Sequence, residues 1–166
     1  MNNSKPSLSV IMPAFNEGPR LRAAYETVSR AVEKAGIDDY EILMTISISL
    51  DETHDGTPDT AANIAKEDFH VKLPYIPGFR GMGYRFREGL LAATKDYIIM
   101  VPGANHVLES TLVEIFNHMG EAPLIITYTK NPETRPFYVR LVSKSFVMLC
   151  NLAFGLNMKY FNGVTL

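Results

Sequence analysis

The sequence predicts an α/β fold with a mostly parallel central sheet and helices on both faces, and three observations carry that expectation. Short β-favouring runs alternate with amphipathic helical patterns along the chain, which is how right-handed βαβ crossovers are encoded. The runs are punctuated by Pro, Gly, Asn and Asp, with no internal repeat, low-complexity tract or linker between them. Finally, 166 residues with 46% hydrophobic and 20% charged side chains suffice for one core, so a single domain over 1–166 is expected.

Leu8 to Met12 is a compact strand pattern that Pro13 is expected to stop. Asn16-Glu17-Gly18-Pro19 then offers a cap and an early helical proline. Leu21, Ala24, Tyr25, Val28, Val32 and Ala35 recur at helical spacing before Gly36 ends the helix. Tyr40 to Leu50 reads as a second strand, Thr57-Pro58 opens a short helix reaching about Lys66, and Val71 to Leu73 is a short third strand. Arg85 to Thr94 is helical, Tyr97 to Val101 a buried strand, Ser110 to Met119 a helix, and Leu124 to Thr129 another apolar strand. Pro136 to Leu156 is helical again, its apolar stripe from Phe137 to Phe154 expected mostly in the core.

Bulk charge narrows the functions. With 16 basic and 18 acidic side chains the formal charge is -2, so no general field draws the chain to nucleic acid. A single cysteine, Cys150, allows no internal disulfide framework, and the start MNNSKPSLSV lacks the apolar core of a secretory signal, which predicts a cytoplasmic protein. The apolar run Phe146 to Leu156 is shorter than the roughly 20 residues a bilayer needs, so no spanning helix is expected.

Parallel sheets bind ligands beyond the carboxyl ends of their strands, so the residues just after each strand are the informative ones. After the first strand, Pro13-Ala14-Phe15-Asn16-Glu17 has no Gly-x-Gly-x-x-Gly turn, which argues against dinucleotide binding. A rigid proline, an aromatic and a carboxylate suit a nucleoside gripped through ring stacking and ribose hydroxyls. The alternative is that Asn16 and Glu17 only cap the helix. After the second strand, Asp51 is either an acceptor for a nucleobase edge or a solvated loop acid, while Asp55-Gly56-Thr57-Pro58 reads as turn chemistry. Arg80-Gly81-Met82-Gly83 opens the next helix, where free backbone N–H groups make a diphosphate neighbour; Arg85 and Arg87 stand equally as surface charges or ligands.

The order PAFNE, LDETHDGT, RGMGYRFREGLLAA and YIIMVPGAN resembles the family 2 glycosyltransferases, in particular the branch of dolichyl- and polyprenyl-phosphate sugar transferases. The resemblance runs from Leu8 to Gly163 and implies a GT-A fold, a Rossmann-like three-layer sandwich that binds a nucleotide-diphospho-sugar. By it, Pro13, Ala14, Phe15 and Glu17 hold the nucleoside, Asp51 meets the base, and Arg80, Gly81 and Gly83 line the donor. One of the paired acids of the second loop is here Leu50.

The larger departure is Pro102-Gly103-Ala104-Asn105-His106, where the family commonly has Asp-x-Asp or a Pro-Gly-Asp-Asn variant. The resemblance implies Mg²⁺ or Mn²⁺ on the diphosphate, and such hard ions need oxygen ligands that Ala104 lacks. Asn105 and His106 are weak substitutes. A degenerate site, a metal-independent relative or an introduced substitution each account for Ala104.

Farther on, the resemblance assigns Lys130, Arg135 and Arg140 to the phosphate of a lipid-phosphate or saccharide acceptor, or to the departing nucleoside diphosphate. Basic residues beside apolar ones also suit peripheral contact with a membrane, at its inner face for a cytoplasmic protein. Other members continue past a segment like Tyr160 to Leu166, so the C-terminal part of the family is expected to be missing, and no acid stands out as the general base. Two other readings stand beside transfer: a non-catalytic relative that binds or regulates, and a nucleotidyltransferase, against which PAFNE argues.

Overall fold

A computed structural model describes residues 5–47, 55–127 and 136–159. They divide into two compact units, one reaching Ile125 and one beginning at Ile126. The first holds β1 (Leu8–Ala14), α1 (Gly18–Ala35), β2 (Tyr40–Ile46), α2 (Thr57–Glu67), β3 (Val71–Lys72), α3 (Met82–Ala92), β4 (Tyr97–Met100) and α4 (Glu109–Asn117). The second holds α5 (Phe137–Phe154).

The four strands form a parallel sheet in the order β3-β2-β1-β4, as alternation of strand and helix requires. β1 is buried along its whole length because strands flank it on both sides and helices cover both faces. Side chains alternate across the pleat. Ala14 faces Leu21 of α1, which packs beside α2 and α4, whereas Ile11 and Thr45 face α3. Gly89 makes the second packing possible: a Cβ there would stand 2.4 Å from Ile11 Cγ2, so α3 reaches the sheet only because that position has no side chain.

Several expectations change in the structure. Pro13 does not stop β1, which runs on to Ala14 beside Thr45 and Ile46. The reason lies in β4, whose pairing with β1 ends at Met100 and continues only as Val101 N–H to Ile11 O and Gly103 N–H to Pro13 O. The ladder bond that Pro13 cannot donate is therefore one that no strand calls for. β4 is only partly buried, with Ile98 exposed, because it lies at an edge. α3 begins three residues before Arg85, with Gly81 as its N-cap. Leu124 to Thr127 form no strand, and Tyr128 and Thr129 lie outside the described residues. Among the described residues the sheet ends at β4, and no residue of this run joins its ladder.

The helix expected from Pro136 to Leu156 is present as α5, but none of its residues is buried, so its stripe is not core. Periodicity shows which side chains share a face; it does not supply the partner that covers them. The expectation of no spanning helix also fails on length and composition. Phe137–Phe154 has a mean hydropathy of 1.3, long and apolar enough to cross a membrane, because the helix extends the apolar run upstream with only Arg140 and Lys144 charged.

At the amino ends of the strands Glu41 is buried and fully engaged. Its carboxylate accepts from Ser9 Oγ at 2.7 Å, Lys72 Nζ at 2.6 Å, and the Thr94 amide and hydroxyl at 2.7 and 2.9 Å. One side chain thus ties β1, β2, β3 and the turn after α3. Burial alone would raise its pKa, but the bonds from Lys72, Ser9 and Thr94 outweigh burial and lower it from 4.5 to about 2. A carboxyl group with a depressed folded-state pKa adds stability above its unfolded pKa and loses it as pH falls through the folded value. Glu41→Gln is therefore expected to cost about 3 kcal/mol at neutral pH, with the difference from wild type shrinking between pH 4.5 and about 2. Urea titrations across that window measure it, and a pH-independent difference would contradict the assignment.

Candidate functional site

The strand order places a reversal between β1 and β4, the position where open parallel sheets receive ligands. Around it, loops from β1, β2 and β4 and the start of α3 are joined by backbone bonds. Ser47 after β2 donates its N–H to Ala14 O at 3.2 Å, and its hydroxyl accepts the Arg80 N–H at 2.9 Å. Gly103 after β4 donates to Pro13 O at 3.1 Å. A Cβ on Gly103 would stand 2.8 Å from Ala14 Cβ, so the close approach of these loops depends on glycine there.

The first loop is held by the start of α2. Thr57 Oγ1 accepts the N–H groups of Glu17 and Gly18, each at 2.8 Å, and donates to Asp55 Oδ2 at 2.8 Å, while Asp55 Oδ1 accepts the Thr57 N–H at 3.0 Å. Asp55 is turn chemistry, as expected, and the turn also aims a hydroxyl at the N-terminus of α1. Glu17 is the N-cap by position but makes no side-chain capping bond, and Asn16 sits in the left-handed region at φ 52. The capping alternative for Glu17 therefore does not hold. Thr57 satisfies the helix N–H groups, and the Glu17 carboxylate is left for something else.

Glu17 Oε2 is buried without a hydrogen-bond partner among the described residues. Arg20 Nε lies 3.3 Å away, an ion-pair distance without hydrogen-bond geometry. Beside it Phe15 is half-buried, its ring 5.1 Å from that of Phe79 in an edge arrangement, with the guanidinium of Arg85 at 5.9 Å over its face. Arg80, exposed at the entrance to α3, lies 5.4 Å over the Tyr84 ring. Gly81 and Gly83 have open space where a Cβ would be, and the first turn of α3 has no side-chain cap. Its N–H groups are available to an anion.

Of the residues singled out in the sequence, Pro13 and Ala14 end β1, Phe15, Glu17, Arg80 and Ala104 lie on these loops, and Gly81 and Gly83 are at the start of α3. Asp51, Lys130 and Arg135 lie outside the described residues, and Arg140 is in the first turn of α5 in the second unit. Of the two undecided arginines, Arg87 is a surface charge paired with Glu88, whereas Arg85 is buried. The burial of Arg85 had a signal in the sequence, its spacing: four residues before Gly89, it shares the helix face that meets the sheet.

The described residues after β4 do not fit a divalent cation. Ala104 has no donor atom, Asn105 is at φ 55 with Oδ1 3.2 Å from Thr27 Oγ1 on α1, and His106 is exposed. No group of three His, Cys, Asp or Glu occurs among the described residues.

Thr57→Val keeps the shape of the side chain but removes the acceptor for two helix N–H groups. It is expected to lose roughly 2 kcal/mol of stability, with Thr57→Ser recovering most of it, by thermal or urea unfolding. Equal stability of the valine variant would show that water replaces the hydroxyl.

Among solved structures, the chain is similar to S. aureus TarS (residues 1–349) at 16% identity and a TM-score of 0.48, over 66% of this chain and 31% of that one. The chain thus spans about a third of that structure's length. No match is found among curated proteins. Residues 9–133, from the second residue of β1 through all the loops described above, match glycosyl transferase family 2, and the chain belongs to that family.

Proposed function

We propose that this chain is the nucleotide-sugar-binding part of an inverting family 2 glycosyltransferase, which passes the sugar to a lipid-phosphate or saccharide acceptor. The observation that carries this reading is the convergence at the sheet reversal of an aromatic, a buried carboxylate oxygen without a hydrogen bond among the described residues and a helix start without a side-chain cap. Phe15 would stack against the base, Glu17 would accept from the ribose hydroxyls, and Arg80 with the N–H groups at Gly81 and Gly83 would meet the diphosphate. Base recognition falls to Asp51 by the family resemblance. Transfer would be an in-line displacement at the anomeric carbon: the acceptor oxygen forms the new bond and the nucleoside diphosphate leaves with the electron pair. An ionised phosphate acceptor needs no general base.

A second reading, a non-catalytic member that binds the donor without transferring it, is favoured by one specific observation. Where the family commonly carries a metal-binding aspartate, Ala104 offers no side-chain oxygen. Calorimetric titration with UDP, GDP and ADP, each with and without Mg²⁺ or Mn²⁺, tests donor binding. We expect one of them to bind the wild-type chain without metal dependence, Phe15→Ala to weaken it about tenfold, and Ala104→Asp to gain metal-dependent affinity. Failure of every nucleotide with every form would end the donor-site reading. Binding without hydrolysis or transfer of any sugar nucleotide would favour the second reading.

On the acceptor side, we place Lys130, Arg135 and Arg140 against phosphate, and the protein in the cytoplasm at the inner face of a membrane. The support is α5, whose exposed apolar residues include Phe137, Leu141, Leu149 and Leu152 and whose only charges are basic. Co-sedimentation with phosphatidylserine-containing vesicles is expected and should weaken in high salt. Recovery of all the protein in the supernatant would count against membrane contact.

A further inference from the structure

Arg85 is 6% exposed, and its Nε, shut off from solvent, has no hydrogen-bond partner among the described residues. It lies one turn before Gly89 on the α3 face that packs against β1 and β2, a place where an apolar side chain would fill the same space. Burying a guanidinium costs more than it returns unless an anion and well-formed hydrogen bonds meet it. Among the described residues neither condition is fulfilled: no carboxylate lies within ion-pair distance, and burial lowers the Arg85 pKa with the more distant charge of Glu17 acting against it. Stability therefore does not account for an arginine here.

Its surroundings do. The guanidinium stands over the Phe15 ring, and Phe79 meets the same ring in an edge arrangement. These two neighbours limit the tilt of an aromatic that is otherwise a half-buried loop residue. The charge of Arg85 also acts on Glu17, whose own buried Oε2 lacks a hydrogen-bond partner among the described residues. An ammonium would not replace it equally, because a planar guanidinium lies flat against a ring.

We propose that Arg85 is a positioning residue of the donor site, holding Phe15 and Glu17 in the arrangement that receives the nucleoside, at a cost to the stability of the fold. The proposal rests on the donor-site reading above. It says that this site is oriented from behind by a buried cation, and that the nucleoside, more than the diphosphate, is what the cation serves.

The test compares wild type with Arg85→Met, which keeps the length of the side chain and removes the charge, and with Arg85→Lys, which keeps the charge and removes the plane. Each is measured by thermal unfolding and by titration with the tightest-binding nucleoside diphosphate, its nucleoside monophosphate and inorganic pyrophosphate. We expect Arg85→Met to melt at the wild-type temperature or above it, to lose about tenfold in affinity for both nucleotides, and to bind pyrophosphate as wild type does. Arg85→Lys should fall between the two in nucleotide affinity. Nucleotide affinity within twofold of wild type in Arg85→Met overturns the proposal while leaving the donor site standing. So does a loss of stability in both variants, which would make Arg85 a structural residue, or an equal loss for pyrophosphate. If wild type binds no nucleotide, the donor-site reading fails and this proposal fails with it.

Discussion

The Thr57 hydroxyl is the contact on which the geometry of the site depends. It accepts two N–H groups from the start of α1, at Glu17 and Gly18, and is itself fixed by the carboxylate of Asp55 two residues away. A helix start leaves its first N–H groups without intrahelical acceptors, and the usual remedy is a side chain at the cap position itself. Here the acceptor comes from the start of α2, so satisfying one helix also fixes the position of the other. The loop after β1 is thereby anchored to the turn that follows the β2 loop, and Phe15 lies in the short span between the buried end of β1 and that anchor.

The remaining loops join through backbone contacts that depend on small residues. Ser47 links β1 to the approach to α3, and Gly103 brings the β4 loop against Ala14 at a distance no Cβ would allow. Apart from the Ser47 hydroxyl and the absence of a side chain at Gly103, these contacts do not depend on the loop side chains. Ala104 illustrates this. Its neighbour Gly103 still bonds to Pro13, so replacing an acid at 104 changes the chemistry available to the site while the path of the chain is held by groups that do not depend on that side chain.

Local signals read well and tertiary ones did not. Pro19 and Gly36 bracket α1 because each imposes a backbone preference that needs no partner, and the alternation of runs was enough for a parallel sheet. Pro13 misled because its missing N–H matters only where a strand asks for it, and where β4 ends is not written near residue 13. The strand pattern from Leu124 and the apolar stripe of α5 failed for a related reason: each names a surface that wants covering, and neither names the cover. In the site, the loops after β1 and before α3 were legible as motifs. The bond from Thr57 to Glu17 spans 40 residues, and Arg85 and Arg87 stand equally as surface charges or ligands until the contact of Gly89 shows which face of α3 meets the sheet.

Buried charge is partnered differently at the two ends of the sheet. Glu41, at the amino ends of the strands, has partners on three sides, and its carboxylate is held far below the ordinary pKa. Such a group adds stability and has no hydrogen-bonding capacity left over. At the carboxyl ends the same kinds of group are left incomplete: Glu17 Oε2 and Arg85 Nε are buried without hydrogen bonds among the described residues, the latter beside the ring of Phe15, although Lys72 and Thr94 show that this fold can complete such a group elsewhere. Consistency across levels is what makes a sequence fold, and departures from it collect where something other than folding is served. The end with these incomplete groups lies at the sheet reversal, among the loops that fall within the family match, and the asymmetry of the two ends supports the proposed donor site independently of motif and resemblance.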